Sequence, residues 1–141
     1  MDDTRKTEVE IQLLFIRTGQ IAVEAFLFGG DRPVLIDTGA SRTVFHTEIV
    51  KGNGITMRKS ETTGGGVGGS NLPLYELDNL VFSMGGYQWL AEKPTAMDLT
   101  PVIDALKYTR CKDLVGVLGA DVLMRYGAII DYQASKLILV P

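Results

Sequence analysis

Pro33-Val-Leu-Ile-Asp-Thr-Gly-Ala-Ser41 is the stretch on which the fold of this chain turns. Val34-Leu35-Ile36 is too short for a helix and too apolar for a surface strand. It reads as a strand buried on both faces. Its end delivers Asp37 towards the interior, where a charge is costly unless it is paired, hydrogen-bonded or neutralised. A core strand that ends on a carboxylate and then tightens at Gly39 suits a group kept for chemistry. The plainer alternative is an aspartate capping the turn after the strand.

Working outward, the flanks read as short strands and tight turns. Glu8 to Ile16 alternates early, with Val9, Ile11 and Leu13 on one face, and then becomes uniformly apolar. Thr18-Gly-Gln20 is a turn, and Ile21 to Phe28 completes a hairpin. Gly29-Gly-Asp-Arg-Pro33 is a second turn, leading into the Asp37 strand. Ser41 to His46 is a short strand or turn. Thr47 is a candidate cap for a helical turn that ends at Lys51-Gly-Asn-Gly54. Ile55 to Thr63 has the mixed polarity of an exposed strand, and Leu72 to Phe82 reads as a returning strand pair. Gly85-Gly86 is a turn before a strand from Tyr87 to Ala91. Pro101 to Lys107 is the clearest helix, with Thr100 as cap, Pro101 at its first position, and Val102, Ile103 and Leu106 on its apolar face. Val115-Gly-Val-Leu-Gly119 is a second buried strand. Ala120 to Arg125 is a short helix with Asp121 where the helix dipole favours a carboxylate. Ala128 to Asp131 and Leu137 to Val140 close the chain as a strand pair. The sum is a mainly β domain.

Composition narrows the function classes. The chain has 141 residues, 45% of them hydrophobic, which suits one domain with a real core. Residues 1–7 are expected to fray and 8–141 to form the domain. A net charge of -3 with no basic cluster argues against nucleic acid. No run reaches the roughly 18 apolar residues of a membrane span. The N-terminus is too polar to read as a signal peptide. If the chain is full length, the expected address is the cytoplasm; a lost targeting segment would allow export. The single cysteine, Cys111, excludes an internal disulfide and reads as a small, semi-buried thiol. With one histidine, His46, read as surface or half-buried, a zinc site is unexpected.

Two further features carry weight. Gly64-Gly-Gly-Val-Gly-Gly69 satisfies a dinucleotide glycine pattern, but no buried strand precedes it and no helix follows, as that fingerprint requires. It reads instead as the tip of a hairpin whose backbone can approach a ligand closely. Sliding the chain by about 80 positions lays Val115-Gly-Val-Leu-Gly-Ala120 over Leu35-Ile-Asp-Thr-Gly-Ala40, a weak internal repeat.

These elements in this order resemble the retropepsin-like aspartic proteases, the single-domain relatives of pepsin, over roughly residues 8–140. The resemblance rests on Leu35-Ile-Asp-Thr-Gly-Ala-Ser-Arg-Thr-Val-Phe45, the glycine hairpin, and Val115-Gly-Val-Leu-Gly-Ala-Asp-Val-Leu123. It implies a closed β-barrel of the acid-protease (half-pepsin) type, with a ψ-shaped core, a glycine-rich flap and one or two short helices. It implies Asp37 as the catalytic residue and Thr38, Gly39 and Ala40 as its loop. Ser41, Arg42, Val115 and Val117 would line the substrate, under a flap formed by Gly64, Gly65, Gly66, Val67 and Gly68. It implies an extended peptide substrate and neither cofactor nor metal. Because the repeat offers Val117 where a second aspartate would fall, it implies a homodimer with one Asp37 from each chain. Two rival readings remain. One is an inactive member serving as a dimerisation or peptide-binding module; the other is a domain that receives its second aspartate from a different chain. Retroviral enzymes usually carry an ion pair at the positions of Ser41 and Ala120, so its absence puts their mode of dimerisation in question.

Overall fold

The computed structural model describes residues 7–65 and 71–141. In chain order the strands are β1 (Val9–Gln12), β2 (Leu14–Phe15), β3 (Ile21–Leu27), β4 (Gly30–Ile36) and β5 (Val44–His46), followed by helix α1 (Thr47–Gly52). Then come β6 (Arg58–Gly65), β7 (Asn71–Glu76), β8 (Leu80–Met84), β9 (Tyr87–Ala91), β10 (Thr95–Met97) and α2 (Thr100–Ala105). The chain closes with β11 (Gly116–Leu118), α3 (Ala120–Arg125), β12 (Ile129–Asp131) and β13 (Lys136–Leu139).

The protein is mainly β, as its short apolar runs and glycine turns imply. The larger sheet runs in the order β6-β7-β10-β5-β11-β4-β3-β8-β9, with β2 also paired to β3. Among the described residues this order is an open path from β6 to β9, with no ladder joining its two ends. A smaller sheet has the order β1-β13-β12. The closing strand β13 is therefore paired on both sides within its own chain, leaving β1 and β12 as edges.

The centre of the larger sheet explains the repeat. Strands β4 and β5 are consecutive in the chain, yet β11 lies between them. It runs parallel to β4, with Val117 opposite Leu35, and antiparallel to β5, with Val117 opposite Val44. This is the ψ-shaped arrangement. Such a fit demands closeness: a Cβ on Gly116 would stand 2.7 Å from both the Phe45 ring and the Val44 carbonyl.

The main core lies around this crossing and includes Val23, Val34, Phe45, Leu77, Trp89, Leu118 and Leu137. Val9, Ile11 and Leu13 are all buried, as their alternation implies. Trp89 donates from Nε1 to the Met84 carbonyl at 2.9 Å and meets Tyr126 edge-on at 4.9 Å. The Tyr126 hydroxyl accepts the Leu90 N–H at 2.9 Å, tying the end of α3 to β9. A second cluster packs Leu106, Cys111 and Leu114 against Ile16, Ala22 and Leu35. Val102 and Ile103 join it, so the apolar face expected of the α2 helix is realised.

Several local expectations are corrected. The turn before the Asp37 strand is not Gly29–Pro33 but Phe28-Gly29, both at positive φ (52° and 79°), with Leu27 opposite Gly30. Strand β4 therefore begins three residues before Pro33. Thr47 lies inside α1 and does not cap it. Thr100 likewise opens α2, and its N–H and hydroxyl both donate to Asp98 Oδ1, at 3.0 and 2.6 Å. Those bonds, helped by nearby His46, hold Asp98 below the ordinary carboxylate range. Cys111 is fully buried rather than half-buried, and burial raises its thiol pKa, so it stays protonated and inert. His46 is also buried: its Nδ1 accepts the Leu99 N–H at 3.0 Å, which fastens the start of α2 to β5.

Candidate active site

Strand β4 ends in the core at Ile36, and the chain emerges at once. Asp37, Thr38 and Gly39 are exposed in the single chain. The expectation that Asp37 is carried into the interior is thus corrected: the strand is buried, the carboxylate is not. The reason is positional, because the apolar run stops one residue short and the loop turns outward at the sheet end.

The loop is nevertheless held firmly. The Gly39 N–H donates to Asp37 Oδ1 at 2.9 Å, and the Ala40 N–H to the Asp37 carbonyl at 3.1 Å. The Asp37 N–H donates to the Leu118 carbonyl at 3.0 Å, and the Ala40 carbonyl accepts the Ala120 N–H at 2.7 Å. The Asp37 loop and the β11–α3 junction are therefore laced together by backbone bonds from both ends. Gly119 makes this possible, since a Cβ there would stand 2.6 Å from the Arg42 backbone and 2.8 Å from the Ala40 carbonyl.

Thr43 completes the lacing and was not singled out from the sequence. It is fully buried. Its hydroxyl accepts the Gly119 N–H at 3.1 Å and donates to Asp121 Oδ1 at 2.8 Å. Its partners lie 76 and 78 residues away, so no local pattern reveals them. The one weak signal is Asp121 in the first turn of α3, read from sequence as a dipole partner only. Thr43→Val keeps the shape but leaves a buried N–H and a carboxylate oxygen without this partner. The expected loss is about 2–4 kcal/mol, read as a fall in Tm of roughly 7–14 °C. Thr43→Ser, which retains the hydroxyl, is expected to recover most of it.

The other sequence-named residues are distributed as follows. Ser41 and Arg42 line a cleft of about 700 Å³ beside the loop, shared with Glu92, Lys93, Asp121 and Arg125. Val115 is a core residue, 3% exposed, and Val117 is half-buried against the second cluster. Leu35 belongs to that cluster too, so the segment carrying α2 covers the sheet face at Leu35 and Val117, close to the base of the Asp37 loop. Gly64 and Gly65 end β6, paired with Leu72 and Asn71 of β7. Gly66, Val67 and Gly68 lie outside the described residues.

No family model matches the chain, and no curated protein matches it. Solved structures do. A retropepsin-like aspartic protease from Rickettsia conorii superposes with a TM-score of 0.56 at 19% identity, over 99% of this chain and 96% of that one. The retroviral protease-like domain of Ddi1 from Leishmania major gives 0.54 at 13% identity, over 84% and 86%. EIAV protease, complexed with the inhibitor HBY-793, gives 0.50 at 18% identity, over 77% and 89%. The chain has the retropepsin-like fold. At these identities the likeness speaks for the architecture alone.

Proposed function

We propose that this protein is an aspartic endopeptidase that cuts extended polypeptide as a homodimer, with Asp37 from each chain forming one site. The observation that carries this reading is Asp37 itself. It is an exposed carboxylate on a loop pinned by backbone hydrogen bonds, at the end of a central strand of a fold shared with aspartic proteases.

The chemistry requires two such groups. Carboxylates about 3 Å apart do not both ionise easily, so the pair shares one proton. The ionised member takes a proton from a bridging water, which attacks the peptide carbonyl. The protonated member donates a hydrogen bond to the carbonyl oxygen and so stabilises the charge that develops there. One chain supplies one carboxylate, so a two-fold axis must pass beside Asp37. Thr38 then joins the two loops across that axis, and Gly39 leaves room for the substrate backbone. The β6–β7 hairpin acts as the flap that closes over the peptide and excludes water.

The surface next to Asp37 suits a second copy. Thr38 borders an apolar groove of about 330 Å³ with Leu123, Met124, Ala128 and Ile130. Met124 is 80% exposed and Ile129 53%, and β12 is an edge of the smaller sheet. An axis beside Asp37 places this face against its own copy, burying side chains that water otherwise covers. Met124→Glu is therefore expected to weaken dimerisation at least about tenfold, with cleavage falling in step, because a charge would enter an apolar contact. Sedimentation over a concentration series checks it; an unchanged dimer constant places the interface elsewhere.

Cleavage of an unfolded protein across acid and neutral pH, measured beside oligomeric state, tests the whole reading. A wild type that stays monomeric and inactive throughout contradicts it.

A further inference from the structure

The cleft beside the Asp37 loop has a charge pattern that hydrolysis alone does not require. Glu92 accepts from Arg125 Nη1 at 2.7 Å, so that pair is internally balanced. Asp121 turns its carboxylate inward: Oδ1 accepts from buried Thr43, and Oδ2 is sealed from solvent. Arg42 and Lys93 are left over. Both are exposed, and among the described residues neither has a carboxylate within ion-pair distance.

The Arg42 guanidinium and the Lys93 backbone are held rather than loose. Arg42 Nη1 donates to the Lys93 carbonyl at 2.8 Å. Lys93 sits at φ 42°, a conformation uncommon outside glycine, and its N–H donates to Asn79 Oδ1 at 2.9 Å. One rim of the cleft thus carries both Arg42 and Lys93, with the guanidinium bonded to the Lys93 backbone. Among the described residues the other N–H groups of Arg42 have no partner and can grip a carboxylate, and Lys93 adds a positive charge.

The cleft is also within reach of the scissile bond. Arg42 follows Asp37 by five residues, so the two backbones are at most about 18 Å apart at roughly 3.5 Å per residue. An extended peptide lying over Asp37 spans that distance in about five residues or fewer.

We infer that this cleft is a subsite for an acidic side chain of the substrate, with Arg42 and Lys93 as the residues that determine the preference. The inference rests on the endopeptidase reading. It concerns which peptides are cut, not how.

The test is a peptide series in which Glu, Gln or Lys occupies each position within five residues of a cut bond. At one position, kcat/KM for the Glu peptide is expected to exceed that for the Lys peptide about tenfold, a gap that narrows with added salt. The double variant Arg42→Glu/Lys93→Glu is expected to reverse the order. A wild type that cuts all three peptides alike at every position overturns the inference, as does a Glu preference that survives the double reversal. If wild type cuts none of them, binding of the same fluorescently labelled peptides to the intact protein by anisotropy decides. Glu-over-Lys binding that reverses in the double variant upholds the cleft while the peptidase reading fails. Equal binding, or none, overturns the cleft as well.

Discussion

Asp37→Asn is expected to lower peptide cleavage by about a thousandfold or more without unfolding the protein. Asparagine has the same shape, and its amide oxygen still accepts the Gly39 N–H that Asp37 Oδ1 accepts now. What it loses is the ability to take a proton from water or to share one with its twin. Proton transfer by a positioned group contributes about 10²–10⁴ in rate, and groups that act as a unit are lost together. Because the side chain is exposed in the single chain and has no ion-pair partner among the described residues, its neutralisation costs the fold of each chain little, and Tm is expected to move by less than about 2 °C. The measurement is kcat/KM on one cleaved peptide, with thermal unfolding as the control. Activity that survives the change removes Asp37 from the mechanism.

The largest stability effect is expected at Gly119. Its backbone (φ −99°, ψ −177°) is open to any residue, so the constraint is space and not conformation. A Cβ would stand 2.6 Å from the Arg42 carbonyl carbon and oxygen and 2.8 Å from the Ala40 carbonyl oxygen. All are main-chain atoms that cannot swing aside. Gly119→Val must push the β11–α3 junction off the Asp37 loop, straining the Ala120 N–H to Ala40 bond and the Gly119 N–H to Thr43 bond. Overpacking plus two broken buried bonds comes to roughly 3–5 kcal/mol. Gly119→Ala brings the same first clash in milder form and covers the case in which the valine variant fails to fold. Urea unfolding measures both; stabilities within about 1 kcal/mol of wild type contradict this packing.

The two effects belong to one design. The loop that presents Asp37 gains its rigidity from a distant strand through contacts so close that only glycine fits. The exposed carboxylate and the buried Thr43–Gly119–Asp121 bonds are two sides of the same seven-residue turn from Asp37 to Thr43.

This division also explains what was legible in the sequence. Apolar alternation located Val9, Ile11 and Leu13, and the short helix read from Ala120 to Arg125 is α3 with those bounds. The Asp37–Arg42 loop and the Val115–Leu123 element were readable because their residue types are unusual where they stand. The failures have more than one cause, and partners far away in the chain account for some of them. His46 read as surface or half-buried because the Leu99 N–H that holds it lies 53 residues on. The exposure of Asp37 was missed because an apolar run reports the burial of the strand and is silent about the residue after it. Phe28 at positive φ was missed because phenylalanine is no turn former and only the β3–β4 pairing demands it. The Lys93 rim of the cleft had no local signal at all, since it is assembled from a loop, a strand end and a helix.

The central claim is that each chain holds half of a catalytic site, and mixed dimers test it most directly. Wild-type chains are unfolded together with Asp37→Asn chains in varied ratio, refolded at fixed total concentration, and assayed for cleavage. If a site needs one carboxylate from each chain, activity falls as the square of the wild-type fraction. Activity falling in simple proportion to that fraction would mean that one chain suffices, and would contradict the account.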